Sequence, residues 1–250
     1  MKETNQKIIN NTSQEEGSAL VLIMVLLVVA SMVAATILQQ NRRDTFWNPK
    51  VETQRKMERA IAALEAYQRT YKQLPCVAPR DAAQGDSDHG EALPNCTPMD
   101  PYDTSTERVD IGGGVYVRIG ALPYRTLLLQ EDAGEDAWGN KLLYAVSERL
   151  IDPSLYMTST GGIHVDKPSG SVTSTAAFVI LSHGADGKGA YRNVSGSRPK
   201  ACTDAPGTDQ ENCNDNGFFW IDALQGDEGA SHYEDQVEWK PVDYTAQSSP

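Results

Sequence analysis

The sequence predicts an α+β fold in which a long, bent N-terminal helix packs against a small antiparallel β-sheet of three to five strands. Two observations support the helix: an uncharged apolar run covers 18–38, and apolar residues then recur at helical spacing as far as Leu74. A third supports the sheet, because short β-like runs alternate with turn residues through the C-terminal half. The chain has 250 residues, of which 40% are hydrophobic, which is enough for one globular domain after the apolar run.

The apolar run over 18–38 is predicted to cross a membrane. It contains no charged residue and no proline, and a helix of this length spans about 30 Å, the thickness of the bilayer hydrocarbon core. A buried helix of a soluble domain would show a polar stripe, and a secretory signal would have a shorter apolar run directly after a basic region. We therefore expect a transmembrane helix near the N-terminus.

The next segment, 39–74, is predicted to continue this helix as an amphipathic extension. Pro49 permits a bend or a helix start, and polar residues such as Arg55 and Glu65 separate the apolar positions. The apolar positions follow the helical period and are Val51, Met57, Ile61, Leu64, Tyr67 and Tyr71. We expect the face that they form to pack on the core of the following domain.

The rest of the chain is predicted to form one globular domain over 75–244, followed by a flexible tail over 245–250. Its formal net charge of −12 argues against a nucleic-acid partner, because neutralising phosphates requires clustered Lys and Arg. Strands are expected at 115–119, 141–147 and 176–182, with shorter runs at 217–221 and 235–239.

The four cysteines fall in two close pairs, Cys76 with Cys96 and Cys202 with Cys213. Neither pair has C-x-x-C spacing, and no histidine stands at zinc-finger spacing, which argues against zinc. Two local disulfides formed in an oxidising compartment are the favoured interpretation. Free thiols are the alternative.

The sequence predicts that this chain is not an enzyme. It contains no G-x-S-x-G elbow, no H-E-x-x-H helix and no P-loop. The histidines are scattered over predicted loops and strand ends, at His89, His164, His183 and His232. A metal-dependent hydrolase is the least favoured alternative, because its ligands would be spread over a flexible loop, at Asp186, Asp204, Asp209 and Asp215.

Several short motifs occur in the order found in one protein family. Gly17 directly precedes the uncharged helix, and the later segments Leu74-Pro-Cys76 and Leu122-Pro-Tyr-Arg-Thr-Leu127 are similar to those of prepilin-like proteins. The C-terminal half contains Asp136-Ala-Trp-Gly-Asn140, Leu181-Ser-His-Gly-Ala-Asp-Gly187 and Asp235-Gln-Val-Glu-Trp239. Together these segments resemble type IV pilins and type II secretion pseudopilins, and the last three are similar to motifs of the major pseudopilin.

This resemblance implies a structural subunit of a type IV pilus-like or type II secretion filament. A prepilin peptidase would remove the leader 1–17 by cleaving between Gly17 and Ser18. An inner-membrane assembly platform would then join the subunit to other pilin or pseudopilin subunits through its N-terminal helix. The resemblance also implies a single-pass protein of the inner membrane with its C-terminal domain in the periplasm, although Arg42 and Arg43 after the helix favour the opposite orientation.

Departures from the family pattern indicate a minor, filament-capping or initiating subunit rather than the repeating one. Family members usually have a glutamate five residues after the cleaved glycine, where this chain has Leu22, and basic residues before it, where this chain has Glu15 and Glu16. The family glutamate is thought to pair with a neighbour's N-terminal amine, so Leu22 suits a subunit that makes no such pair. The alternative is an uncleaved, membrane-anchored periplasmic binding module or adaptor.

The resemblance further implies a calcium site. In the major pseudopilins, Ca²⁺ is bound by the aspartate of G-A-D-G and by the aspartate that opens the terminal motif, which correspond here to Asp186 and Asp235. Ca²⁺ takes about six to eight oxygen ligands, and a glycine-rich turn lets carbonyl groups converge on it. The alternative is a plain turn in which Asp186 caps its own backbone.

Overall fold

The computed structural model describes residues 21–36, 48–94, 96, 107–204, 207–221 and 233–242. The chain divides into two compact units, Met1–Asn48 and Pro49–Pro250. In the first unit the described residues are Asn48 and one helix, α1, which covers 21–36. All other described elements belong to the second unit.

Helix α1 corrects the prediction of a transmembrane segment over 18–38. Its 16 described residues correspond to a rise of about 24 Å, whereas crossing a bilayer takes about 20 apolar residues. Among the described residues, no helix is both long enough and apolar enough to cross a membrane. The predicted single-pass location in the inner membrane, with a periplasmic C-terminal domain, is therefore wrong.

Helix α2, Pro49–Tyr71, forms most of the predicted amphipathic extension. It begins at Pro49, where the fixed φ of proline suits the first helical position. It ends where Lys72 adopts a φ of +53°, outside helical geometry, shortly before Pro75. Its buried residues recur every three or four positions and are Thr53, Lys56, Met57, Ala60, Ile61, Leu64 and Gln68. Residues 39–47 lie outside the described ranges.

Five strands form an antiparallel sheet. They are β1 (Glu107–Asp110), β2 (Tyr116–Ala121), β3 (Leu143–Ser147), β6 (Phe178–Ser182) and β8 (Gln236–Lys240), and they lie side by side in this order. Strands β3 and β6 are interior strands of the sheet, and all of their residues are buried. Leu143 pairs with Leu181, and Leu181 pairs with Val237.

A second sheet has the order β5-β4-β7. Strand β4 (Ile163–Lys167) pairs antiparallel with β5 (Gly170–Ala176) and parallel with β7 (Phe218–Trp220). The prediction of a long helix on one small antiparallel sheet is therefore wrong. The described part of the chain is a mostly β α+β fold with eight strands in two sheets and no long apolar helix.

The five-stranded sheet is covered on both faces. Tyr144 and Phe178 pack in one apolar cluster with Leu64 of α2. The alternate residues of the same strands pack in a second cluster with Ile163 and Phe219 of the second sheet. Burial on both faces explains why β3 and β6 are almost continuously apolar, because successive side chains of a strand point to opposite faces.

Short helices and two disulfides complete the second unit. Cys76 is bonded to Cys96 and Cys202 to Cys213, which are the pairs expected from the sequence. The short helices are α3 (Pro153–Tyr156), α4 (Gly207–Glu211) and three 3₁₀ turns at Glu131–Gly134, Glu148–Leu150 and Cys202–Asp204.

Candidate functional site

The turn 136–140 is built around the carboxylate of Asp136. Its Oδ1 accepts hydrogen bonds from the backbone N–H groups of Trp138 and Asn140, both at 2.9 Å. Its Oδ2 accepts from the Asn140 side chain at 3.0 Å and from the Ser182 hydroxyl at 2.8 Å. Burial raises the pKa of Asp136, although these hydrogen bonds favour its charged form. This one carboxylate joins two of the three C-terminal motifs.

The loop that follows β6 brings Glu234, the residue directly before the third motif, to the same place. The Asn140 side chain donates to the carbonyl of Gly184 at 3.1 Å, and the Glu234 carboxylate accepts a hydrogen bond from the backbone N–H of Asp186. Gly184 has a φ of +63°, and a side chain there would lie 2.7 Å from the carbonyl oxygen of Glu234. Motifs that are far apart in the sequence therefore form one connected cluster.

Asn212 holds the first residue of the third motif and is not among the residues predicted from the sequence. Its side-chain N–H groups donate to Asp235 Oδ2 at 2.9 Å and to the Trp220 carbonyl at 3.0 Å. Its side-chain oxygen accepts from the Trp220 backbone N–H at 2.7 Å. Asn212 thus ties the end of β7 to the start of β8. The adjacent Cys213, held by its disulfide, is the one sequence feature that points to this position.

Asp186 and Asp235 lie near each other in different environments. The Asp186 carboxylate pairs with Lys188 Nζ at 2.6 Å and accepts from the Lys188 backbone N–H at 2.9 Å. Burial of Asp186 opposes ionisation, but these bonds to Lys188 prevail and lower its pKa. Burial raises the pKa of Asp235 well above its usual value, and the negative charge of Asp209 adds to this effect.

These contacts do not fit a calcium ion held by Asp186 and Asp235. The Asp186 carboxylate is already paired with Lys188, and Asp235 Oδ2 accepts a hydrogen bond from Asn212 at 2.9 Å. Within the described ranges, no group of three or more His, Cys, Asp or Glu side chains is placed to hold a metal ion. The contacts match the alternative, a turn that Asp186 caps itself.

We expect melting curves recorded with millimolar calcium and with excess chelator to coincide within about 1 °C, because the described carboxylates are engaged by protein groups. A calcium ion present at about 100 times its dissociation constant would instead stabilise the protein by about 2.7 kcal/mol, which corresponds to several degrees. A calcium-dependent rise of that size, abolished by Asp186→Ala, would contradict this expectation.

The hydrolase alternative requires all the loop aspartates to converge, and Asp215 does not join the others. Asp215 accepts a hydrogen bond from Arg80 at 2.7 Å. Asp186 is held by its own loop, and Asp209 is buried in α4, where its charge acts on Asp235 and Lys188. The side chain of Asp204 lies outside the described residues. These residues are engaged in local structure rather than gathered at one open site.

Of the three histidines that the structure describes, two are buried. His89 forms a hydrogen bond with Asn193 Oδ1 at 2.8 Å. Burial of His183, together with two nearby arginines, lowers its pKa to about 3, so its ring is neutral at physiological pH. His164 is partly exposed, and His232 lies outside the described residues. The buried pair contributes to packing.

Helix α1 presents a surface of a different kind. Its eleven large apolar side chains are exposed by 51–65%, and none of the residues 21–36 is charged. The hydroxyl groups of Ser31 and Thr36 donate to the carbonyls of Val28 and Val33, both at 2.8 Å. The described part of α1 is therefore apolar on all sides, and its hydroxyl groups already have partners within the helix.

Two sequence predictions concern the start of this helix. Leu22, which stands where the family has a glutamate, lies on the apolar surface of α1 and is exposed by 63%. Gly17 and Ser18, the predicted cleavage site, lie outside the described residues.

Comparisons with protein-family models, with curated proteins and with solved structures gave no match for this chain. The described residues themselves define a globular α+β unit and, in a unit of its own, an uncharged helix with exposed apolar side chains. A helix that is apolar on every side is typical of helices that become buried among other apolar elements.

Proposed function

We propose that this chain is a structural subunit of a filament of the type IV pilin and type II secretion pseudopilin class. In this proposal the chain joins neighbouring subunits through α1, after cleavage of a leader at Gly17. The observation that carries the proposal is the exposure of α1, whose eleven large apolar side chains are 51–65% exposed. The order of the motifs from Gly17 to Asp235 supports the choice of class.

Burying α1 among other helices would release a large amount of apolar surface from water. Full burial of one Val, Leu, Ile or Met side chain contributes about 1.5–3 kcal/mol. Eleven such side chains more than offset the entropy lost when subunits associate. Ser31 and Thr36 do not oppose this burial, because their hydroxyl groups already have hydrogen-bond partners within the helix.

Leu22 supports a minor role in such a filament. A leucine cannot form the ion pair that the family glutamate is thought to make with a neighbour's N-terminal amine. Its exposure of 63% leaves it free to make apolar contacts of the kind made by the rest of α1. A subunit without this ion pair is best placed at or near a filament end, in few copies.

Processing at Gly17 is the first test. In cells that express a prepilin peptidase, we expect the mature chain to begin at Ser18, as shown by N-terminal analysis or intact mass. Gly17→Leu should leave the full-length chain, because the peptidase requires a small residue before the cut, whereas the matched Gly17→Ala should still be processed. Recovery of wild-type chain that begins at Met1 or Lys2 would contradict the proposal.

Association through α1 is the second test. Leu26→Asp should weaken self-association of the full chain at least about 100-fold, because burying a carboxylate in an apolar contact costs several kcal/mol. Sedimentation of the wild type and the variant measures this effect. Leu155→Asp is the matched control, since Leu155 is exposed by 43% and belongs to α3 rather than α1. Equal association of the wild type and both variants would refute assembly through α1.

A further inference from the structure

A second exposed apolar surface lies at the C-terminal end of α2. We call it the Leu128 groove. It encloses about 200 Å³, and no charged side chain lines it. Its lining residues are Ala63, Ala66, Tyr67, Thr70, Tyr71, Thr126, Leu127 and Leu128.

In the single chain, Leu128 has an energetically unfavourable environment and an unfavourable backbone conformation. Its side chain is 92% exposed to solvent, and its backbone has a φ of +58°, a region that leucine rarely adopts. The turn around it is well held, since Leu128 N–H donates to the Arg125 carbonyl at 3.0 Å and Leu129 N–H to the Tyr124 carbonyl at 2.8 Å. A glycine would fit this backbone without strain. An exposed leucine in this conformation points to a role outside the folded chain itself.

The opposite wall of the groove is suited to receive a helix. Ala63, Ala66 and Thr70 are small and lie on neighbouring turns of α2, so another backbone can approach closely. The Thr70 hydroxyl donates to the Ala66 carbonyl at 2.8 Å and therefore already has a partner. The Tyr67 and Tyr71 rings contact each other with centroids 4.4 Å apart, and Tyr71 is 58% exposed at the end of the groove.

We propose that the Leu128 groove receives α1 of a second copy of this chain. This inference rests on the proposed function and names a contact within it. The two surfaces match in chemistry, since neither the groove lining nor residues 21–36 include a charged residue. Each surface also includes large apolar side chains that are exposed to solvent in the single chain.

Photo-crosslinking of the full chain tests this contact directly. We replace Leu128 by a benzophenone-bearing amino acid, mix the variant with isotope-labelled wild type, irradiate, and map the crosslinked peptides. The expected result is a crosslink from position 128 to residues 21–36 of the labelled copy. A parallel variant carries the same probe at Leu26 and reports whether α1 contacts other subunits at all.

The two probes separate the possible failures. If position 26 crosslinks to a second copy but position 128 does not reach residues 21–36, the groove proposal is overturned while assembly through α1 stands. If neither probe crosslinks to another copy, both the groove contact and self-association through α1 are overturned, and processing at Gly17 remains the separate test of the proposed function.

Leu128→Gly provides a test that does not depend on photochemistry. The glycine removes the exposed side chain and suits the φ of +58°, so the melting temperature of the unassociated chain should stay the same or rise. Association should weaken at least tenfold. Val194→Ser is the matched control, because Val194 is 68% exposed and does not line the groove. Association of the glycine variant as strong as that of the control and the wild type would overturn the proposal.

Discussion

Replacing Asp136 by alanine is expected to lower the free energy of unfolding by about 3–5 kcal/mol and the melting temperature by about 10 °C or more. The carboxylate is buried and accepts four hydrogen bonds from Trp138, Asn140 and Ser182. Alanine would leave these buried donors without their acceptor, and unmade hydrogen bonds in the interior are costly. It would also separate the turn 136–140 from the end of β6. Chemical and thermal denaturation of the two proteins measure the loss.

The pH dependence of this loss has a defined sign. Burial raises the pKa of Asp136 in the folded chain above its ordinary value of 3.8. Its stabilising contribution is therefore fully present below about pH 3.8 and declines as the pH rises through the folded-state pKa. The difference between wild type and Asp136→Ala should be larger at about pH 4 than at about pH 8.

Asp152→Ala is the matched control for Asp136→Ala. Asp152 also accepts hydrogen bonds, from the N–H and hydroxyl groups of Ser154, but it is exposed at the start of α3. Water can replace this capping side chain, so its removal should cost about 1 kcal/mol. Equal losses for the two variants would show that the Asp136 cluster does not hold the two loops together.

The sequence predicts the apolar strands well because their side chains face two buried layers. Strands β2, β3 and β6 lie within about two residues of the predicted runs. The turn 136–140 also lies where the sequence predicts a turn. The Asp136 carboxylate accepts hydrogen bonds from the backbone N–H groups two and four positions later. In these segments, local chemistry and tertiary packing favour the same structure.

The second sheet could not be predicted in the same way. Strand β5, Gly170–Ala176, consists largely of exposed serine and threonine, so it lacks the alternation that marks a half-buried strand. Strand β7 pairs parallel to β4 across more than fifty residues of chain, and such a pairing leaves no local signal. The transmembrane helix was predicted from one continuous apolar run over 18–38, whereas the described part of that run, 21–36, is shorter than the roughly 20 residues that a membrane span takes.

The two candidate surfaces also differ in how well the sequence predicts them. The apolar character of α1 can be predicted from composition alone, because none of its residues is charged. The Leu128 groove cannot be predicted from composition. Its two walls are about sixty residues apart in the chain, and its defining feature is a backbone angle. Leucine ordinarily avoids a positive φ, so the residue type at position 128 predicts a negative φ there.

Replacing Glu148 by glutamine should be as costly as replacing Asp136, for an electrostatic reason. Glu148 is 9% exposed and accepts from Arg108 Nε at 2.6 Å and from Arg118 Nε at 3.1 Å, the Arg118 side chain being only 4% exposed. Glutamine keeps the size of the side chain but removes its charge, so two guanidinium groups would face each other without this carboxylate. Breaking one member of a buried ion pair costs about 3–5 kcal/mol, because the charge left behind stays desolvated.

The exposed pair between Glu91 and Arg125 supplies the control. These side chains are 41% and 45% exposed and lie 3.3 Å apart, so Glu91→Gln should change the free energy of unfolding by less than about 1 kcal/mol. Urea denaturation at low and at about 0.5 M salt separates the two cases. Salt should reduce the effect at Glu91 by a larger fraction than the effect at Glu148, because Glu148 and Arg118 are 9% and 4% exposed whereas Glu91 and Arg125 are 41% and 45% exposed. A cost at Glu148 no larger than that at Glu91 would show that its charge does not stabilise the packing of β1 and β2 against the turn after β3.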